Sequence, residues 1–311
     1  MSQSRIAPVF IMIAASLWAI DAIFRTQLTF TIPPASIVMI EHAIGFLFLS
    51  PFFFKYLSKI KSLKTKEWGI LLMMTVVSSV AGTILFTEAL AKSFAEFDFV
   101  TPILLQKLQP IFVIVFSAIF LKEKISSRFI ALAACALFGS YLISFGFEPV
   151  KLQFIGKELV FLLAIGAAAA WGSGTVLSKH SLNKLPYPAV SALRFLLAVP
   201  VAYIFSLFLG ETYNVMNLNY DQIWRFIVIA GLTGGAFAVY LYYKGLQATE
   251  AKISTIAELM FPVVSILIAV TPLNPYGAPQ QLSLANIIGI IILVTSIILI
   301  SFKKKIPTEK E

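Results

Sequence analysis

The sequence has few charged residues and few side chains that could bind a metal or form a crosslink. Of its 311 residues only 13% are charged, one is cysteine and two are histidine. The lone Cys135 excludes a disulfide framework and a paired-cysteine metal site. His42 and His180 cannot make a standard zinc site alone. The sequence also contains no P-loop, GxSxG elbow or HExxH motif, so it predicts no cofactor and no enzymatic activity.

Hydrophobic residues are abundant instead, at 59% of the chain, and the mean hydropathy is +0.90. The apolar runs are continuous, which is typical of membrane helices rather than membrane strands. The first run extends through Asp21 to Leu28, so we interpret it as an uncleaved first span rather than a signal peptide. An all-α integral membrane protein with ten transmembrane helices is predicted, with runs at about 7–28, 34–57, 67–91, 98–121, 127–147, 157–180, 186–209, 221–246, 250–272 and 283–302.

The basic residues concentrate in every second link between these runs. Cytoplasmic links of membrane proteins are enriched in lysine and arginine, so we expect both termini in the cytoplasm and the protein in the cytoplasmic membrane. The net charge of +9 could otherwise indicate a nucleic-acid partner. Because the lysines lie in short links, we predict the lipid bilayer as the partner and no nucleic acid.

The two halves of the chain resemble each other at a nearly constant spacing. We therefore divide it into residues 1–150, with helices one to five, and 151–311, with helices six to ten. Five helices per unit is an odd number, so the second unit must enter the membrane from the opposite side as an inverted repeat. The matched residues are Trp18 with Trp171, Glu41 with Arg194, Pro110 with Pro262, and Gly139 with Gly289.

Several short motifs resemble the EamA type of the drug/metabolite transporter superfamily. The resemblance implies a secondary carrier with a central cavity lined by helices one to four and six to nine. The sequence departs from the family pattern in two ways. No acidic residue in 271–283 matches Glu123, and Arg194 stands where the first copy has Glu41. The motifs are Ala-Ala-Ser-Leu-Trp-Ala at 14–19, Ala-Ala-Trp-Gly at 169–172, Glu-Ala-Leu at 88–90 with Lys-Gly-Leu at 244–246, Leu-Gln-Pro at 108–110, Phe-Pro at 261–262 and Leu-Lys-Glu-Lys at 121–124.

Charged residues inside the spans are the first candidates for a site, because ionised groups in a bilayer are costly. Lys107 lies deep in the fourth run, and Pro110 cannot donate to the Gln106 carbonyl, so a kink is expected beside the charge. From their depths along the spans we predict two gating pairs. Glu41 with Lys107 would form the outer gate and Arg194 with Glu258 the inner gate, and static ion pairs between packed helices are the alternative.

Further candidates follow from helical spacing. His42 could couple transport to protons, or it could simply bond a neighbouring helix. Thr233, Phe237, Tyr240 and Lys244 share one predicted face. The predicted site also includes Trp18, Asp21, Trp171 and Thr175.

Such a site suits a small molecule with an apolar body and polar ends. We expect a monomeric or homodimeric carrier that exports an amino acid or a derivative. The alternatives are a nucleotide-like or cofactor-like substrate, a lipid flippase or other lipid-handling protein, and a passive channel.

Overall fold

The computed structural model describes residues 3–94, 100–150, 154–211, 213–275 and 277–302. Ten of its helices are long and apolar enough to cross a membrane, which confirms the predicted all-helical fold. We number these spans 1 to 10. They comprise Ile6–Thr29, Pro34–Lys55, Thr65–Ala89, Thr101–Phe120, Ser127–Phe145, Glu158–Leu182, Tyr187–Phe208, Tyr220–Ala248, Ala251–Ala269 and Leu284–Ser301.

Four of the spans are interrupted. Spans 3 and 4 are interrupted in the first repeat, and the equivalent spans 8 and 9 are interrupted in the second. Spans 3 and 8 each contain a π-helical segment, at Thr75–Ala81 and Ile229–Thr233. Span 4 is divided into helices Val100–Gln106 and Gln109–Phe120. Span 9 is divided in the same way, into Ala251–Ala257 and Met260–Ala269. Such interruptions mark functional regions of membrane helices.

The break in span 4 confirms the kink expected at Pro110. The amides of Lys107 and Leu108 bond carbonyls three residues back, at 3.1 and 3.0 Å, instead of continuing the α-helical pattern. Pro110 then lies in the first turn of the following helix, where its missing N–H costs nothing. Glu258 occupies the equivalent break in span 9, so each break carries one charged residue.

The packing of the spans follows the repeat. Span 2 packs on span 7, and span 5 packs on span 10. Span 1 of the first repeat contacts spans 8 and 9 of the second, and span 6 of the second repeat contacts spans 3 and 4 of the first in the equivalent way. Gly139 and Gly289 meet where spans 5 and 10 cross. A Cβ on either glycine would lie within 2.8 Å of the carbonyl oxygen of the other. This reciprocal contact places a pseudo-two-fold axis between the repeats.

Each repeat contributes five spans, so the repeats run in opposite directions through the membrane, and span 10 ends on the side where span 1 begins. We call the side on which span 1 begins the terminal face, and the other side the far face. That the terminal face is cytoplasmic stays a prediction from the basic residues.

Candidate functional site

A charged cluster ties spans 1, 2 and 8 together near the far face. Asp21 and Arg25 are four residues apart on span 1, so they share one helix face and form an ion pair. The Arg25 guanidinium also donates from Nη1 and Nη2 to the two carboxylate oxygens of Glu41, at 2.9 Å each. Thr233 Oγ1 donates to Asp21 Oδ1 at 2.8 Å. Asp21 and Glu41 are each only 5% exposed, so this cluster closes the space between the three spans.

A glycine makes the close approach of span 8 to this cluster possible. A Cβ at Gly234 would lie 2.5 Å from Asp21 Oδ1 and 2.7 Å from Arg25 Nη2. The related contact between spans 6 and 3 uses Gly174, where a Cβ would lie 2.2 Å from the Ser78 hydroxyl. Both glycines belong to the second repeat, and each lies against a polar side chain of the first repeat where the two spans cross.

The predicted pairing of Glu41 with Lys107 is wrong for this structure. Glu41 binds Arg25, which lies in the first predicted run but was not assigned to a gating pair. The four-residue spacing from Asp21 was the signal for Arg25. Lys107 Nζ donates instead to Ser140 Oγ on span 5, at 3.2 Å, because its side chain extends from the break towards that span.

The predicted pair of Arg194 and Glu258 is also not formed. Arg194 Nη1 donates to the Tyr243 hydroxyl at 2.8 Å, whereas Glu258 Oε1 accepts from the Tyr242 hydroxyl at 2.8 Å. Successive residues of a helix point about 100° apart. The two adjacent tyrosines therefore hold the two charges on different sides of span 8. The buried Nε of Arg194 has no hydrogen-bond partner among the described residues.

A continuous hydrogen-bonded chain connects spans 4, 6, 8 and 9. Gln106 Nε2 donates to Gln109 Oε1 at 3.4 Å, and Gln109 Nε2 donates to Glu258 Oε2 at 3.3 Å. Tyr242 joins the same carboxylate to Thr175, whose Oγ1 lies 3.2 Å from the tyrosine hydroxyl. Gln109 was part of the Leu-Gln-Pro motif in the sequence but was not predicted as a site residue. We call this set the Glu258 network.

Aromatic rings line one side of the Glu258 network. The Trp18 ring lies 5.2 Å from the Tyr242 ring between centroids, and Trp171 lies 5.3 Å from Phe86. Trp18 and Trp171 are both partly exposed. The two matched tryptophans therefore occupy related positions on spans 1 and 6. The Trp171 ring, however, contacts span 3, and only the Trp171 carbonyl oxygen meets the network, at Thr175.

The four residues predicted to share one face of span 8 have different surroundings. Thr233 is buried against Asp21, while Phe237 is 46% exposed. The Tyr240 hydroxyl lies 3.2 Å from that of Tyr187 on span 7, and Lys244 Nζ lies 4.1 Å from the centre of the Phe10 ring. The structure thus brings Trp18, Thr175 and Glu258 together and leaves Phe237 apart.

His42 is buried and engaged on two sides. Its Nδ1 lies 2.8 Å from the Val38 carbonyl oxygen one turn earlier, and its ring lies 4.7 Å from the Phe195 ring on span 7. Both contacts favour the packing role over the proton-coupling role that the sequence left open.

Two pockets between the described helices show how closely the spans pack. One has a volume of about 10 Å³ and opens between spans 3 and 6, beside Leu71 and Ser181. The other has a volume of about 40 Å³ and is lined by Arg25, Thr29, Thr83 and Thr87 together with apolar residues of span 2. A water needs roughly 10–15 Å³, so neither pocket would hold a metabolite.

These features define a class of protein: a helical membrane carrier built from inverted repeats, with discontinuous spans at its polar centre. The EamA-like transporter family matches residues 5–145 and 159–302, and the chain belongs to that family. It is a secondary transporter and not an enzyme. Our division at residue 150 falls between the two matched segments and stays a proposal.

The riboflavin transporter ImpX of Fusobacterium nucleatum is 29% identical over 294 residues, covering 93% of this chain and 95% of that protein. An uncharacterized transporter of Synechocystis is 23% identical, covering 82% of this chain and 71% of its own. A solved crystal structure superposes with a TM-score of 0.74 at 18% identity, over 95% of this chain and 98% of that one. The last similarity concerns the fold alone.

Proposed function

We propose that the protein carries a cofactor-like metabolite, with a flat heteroaromatic ring and a hydrogen-bonding chain, across the cytoplasmic membrane. Riboflavin is the first candidate. The proposal rests on one juxtaposition, the contact of Trp18 with Tyr242 beside the Glu258 network. The similarity to a riboflavin transporter along nearly the whole of both chains supports it.

The chemistry of these side chains suits such a molecule. An indole and a phenol ring provide flat apolar surfaces on which a heterocycle can stack. Gln109 and Thr175 offer both donors and acceptors, and Glu258 offers acceptors, for ring amide and chain hydroxyl groups. The network joins discontinuous spans 4 and 9, so a ligand bound there would contact both repeats.

An amino acid, which the sequence analysis favoured, is the competing substrate. Its carboxylate would bind Arg194 or Lys107, neither of which is ion-paired among the described residues. A flat heterocycle makes better use of the aromatic surface at Trp18, so we favour the cofactor-like substrate.

The two repeats use different side-chain contacts at the two ends of the pathway. This difference supports alternating access. Near the far face, Arg25 and Glu41 form a direct ion pair. At the equivalent positions nearer the terminal face, Ser178 and Arg194 are joined only through the Tyr243 hydroxyl, at 2.9 and 2.8 Å. The terminal face therefore needs fewer charge-assisted bonds to break when it opens.

Counterflow in proteoliposomes tests the proposed substrate. Vesicles containing the purified full-length protein are loaded with unlabelled riboflavin and diluted into labelled riboflavin, with pooled labelled amino acids in a parallel set. We expect saturable, transient accumulation of riboflavin that empty vesicles lack. Counterflow of an amino acid without riboflavin would replace this proposal by the competing one.

A further inference from the structure

Glu258 differs from Asp21 and Glu41, the acidic residues of the charged cluster, because no cation neutralises it. Its oxygens accept from the Tyr242 hydroxyl and from Gln109 Nε2, both neutral donors. Asp21 and Glu41, in contrast, both bind Arg25. Within the described ranges, no lysine or arginine forms an ion pair with Glu258.

The charged groups on the spans that pack against span 9 are engaged elsewhere. Tyr242 is the titratable side chain that bonds Glu258 directly. Span 10 contains no acidic or basic residue, the Arg128 side chain of span 5 is exposed at the start of that span, and His180 lies at the end of span 6. The engaged groups are Arg25 with Asp21 and Glu41, Lys107 with Ser140, Lys179 with the carbonyls of Leu246 and Gln247, Arg194 with Tyr243, Lys244 with the Phe10 ring, and Lys252 with Glu250.

The Glu258 network can satisfy both the ionised and the protonated carboxyl group. When Glu258 is ionised, Tyr242 donates to it and accepts from Thr175. When Glu258 is protonated, its O–H can donate to the Tyr242 oxygen. Tyr242 then donates to Thr175, whose Oγ1 already lies 3.4 Å from the Trp171 carbonyl oxygen. Every hydroxyl keeps a partner in both states, so neither state leaves a buried polar group unsatisfied.

Protonation would also change the link between the discontinuous spans. Gln109 Nε2 now donates to a carboxylate, and a hydrogen bond to an ionised acceptor is roughly twice as strong as one between neutral groups. Adding a proton to Glu258 weakens this bond between span 4 and span 9. The Leu259 amide bonds the Ile256 carbonyl oxygen, three residues back, at 3.1 Å, so the α-helical pattern is interrupted directly after Glu258. The Glu258 side chain can therefore move with little cost to the two helices.

We infer that Glu258 binds the proton whose gradient drives transport. One proton is taken up by the carboxylate on one side of the membrane and is released from the carboxylic acid on the other, together with one substrate molecule. This inference rests on the proposed carrier function. It assigns the coupling to span 9 and not to His42, whose ring is packed and bonded.

Infrared titration of the full-length protein in a bilayer tests the proton site without any substrate. We expect a protonated-carboxyl band that appears and disappears with pH in the wild type. The band should be lost in Glu258→Gln and kept in Glu250→Gln, a control at an exposed carboxylate beside span 9. Tyr242→Phe should keep the band at a shifted frequency, because one hydrogen bond to the carboxyl group is removed. A titrating band that is unchanged in Glu258→Gln would overturn the inference.

Flux measurements separate this inference from the proposed substrate. A pH gradient imposed across wild-type proteoliposomes should drive riboflavin accumulation, with about one proton moving per substrate. Any transport that Glu258→Gln retains should not respond to the gradient. A wild type without riboflavin counterflow rejects the substrate, and the infrared titration still decides the proton site. A wild type that shows counterflow but ignores the pH gradient rejects the proton coupling.

Discussion

His42 and Phe195 lie 153 residues apart in the sequence, yet their rings stack with centroids 4.7 Å apart. They follow Glu41 and Arg194, which the sequence analysis matched between the repeats at the same spacing. Equivalent positions of the two copies therefore meet at the contact between spans 2 and 7. Together with the glycines of spans 5 and 10, this contact defines the pseudo-two-fold axis between the repeats.

The glycine contact predicts a stability difference between two similar substitutions. Gly139→Ala places a Cβ 2.8 Å from the Gly289 carbonyl oxygen, so spans 5 and 10 must separate. We expect a cost of about 1–3 kcal/mol, typical of overpacking. Gly69→Ala is the control, because a Cβ there meets nothing within 4 Å and should be neutral or stabilising. Thermal unfolding in detergent compares the two, and equal midpoints would contradict the close contact.

The charged cluster near the far face predicts a large effect of removing Arg25. Arg25→Leu leaves the buried carboxylates of Asp21 and Glu41 without a cation, which typically costs 3–5 kcal/mol. Arg225→Leu removes an arginine from a pair with the exposed Asp221 and should cost at most about 1 kcal/mol. Chemical unfolding of both variants checks the difference. Similar losses for the two would show that the cluster does not hold the spans together.

Charge exchange distinguishes the observed partner of Glu41 from the predicted one. We expect the double variant Arg25→Glu with Glu41→Arg to recover part of the transport that each single variant loses. Glu41→Lys with Lys107→Glu should recover none, because Lys107 contacts Ser140 instead. Counterflow rates of the four single and two double variants give the answer. Rescue by the second double variant alone would restore the pairing predicted from the sequence.

The proposed stacking surface predicts that an aromatic ring is needed at position 18. Trp18→Ala should weaken riboflavin binding about 10-fold, since an aromatic contact contributes roughly 0.5–1.5 kcal/mol beyond its buried area. Trp18→Phe should retain most of the affinity. Trp224→Ala, at a ring that contacts Phe24 near the far face, is the control. Quenching of riboflavin fluorescence measures the affinities, and an unchanged affinity in Trp18→Ala would place the ligand elsewhere.

Glu211, in the link between spans 7 and 8, should make the stability of the fold depend on pH. Its carboxylate accepts from the Ala35 amide at the start of span 2, at 3.0 Å. Burial nevertheless raises the pKa of Glu211 above the ordinary value of 4.5. As the pH rises, the unfolded chain therefore loses the Glu211 proton at a lower pH than the folded protein does. The free energy of unfolding should fall as the pH rises from 4.5 through the pKa of the folded state. Thermal midpoints across this range should show the fall in the wild type and less of it in Glu211→Gln. A rise over the same range would contradict the assignment.

The sequence was sufficient for the spans, the repeat and the break at Pro110, because hydropathy, spacing and proline geometry act along one helix. It was not sufficient for the gating pairs. Depth along a span does not specify which neighbour a side chain faces, so Glu41 was assigned to Lys107 instead of Arg25. Gln109 was missed as a site residue for the same reason, since its role depends on meeting Glu258 from another span.

Counterflow of labelled riboflavin by the wild type and Trp18→Ala, measured side by side in proteoliposomes, is the most direct test of whether the protein carries a cofactor-like metabolite. We expect saturable counterflow in the wild type and a half-saturating concentration about 10-fold higher in the variant. Equilibration of the label without saturation, or counterflow that responds only to amino acids, would contradict a carrier for a cofactor-like metabolite.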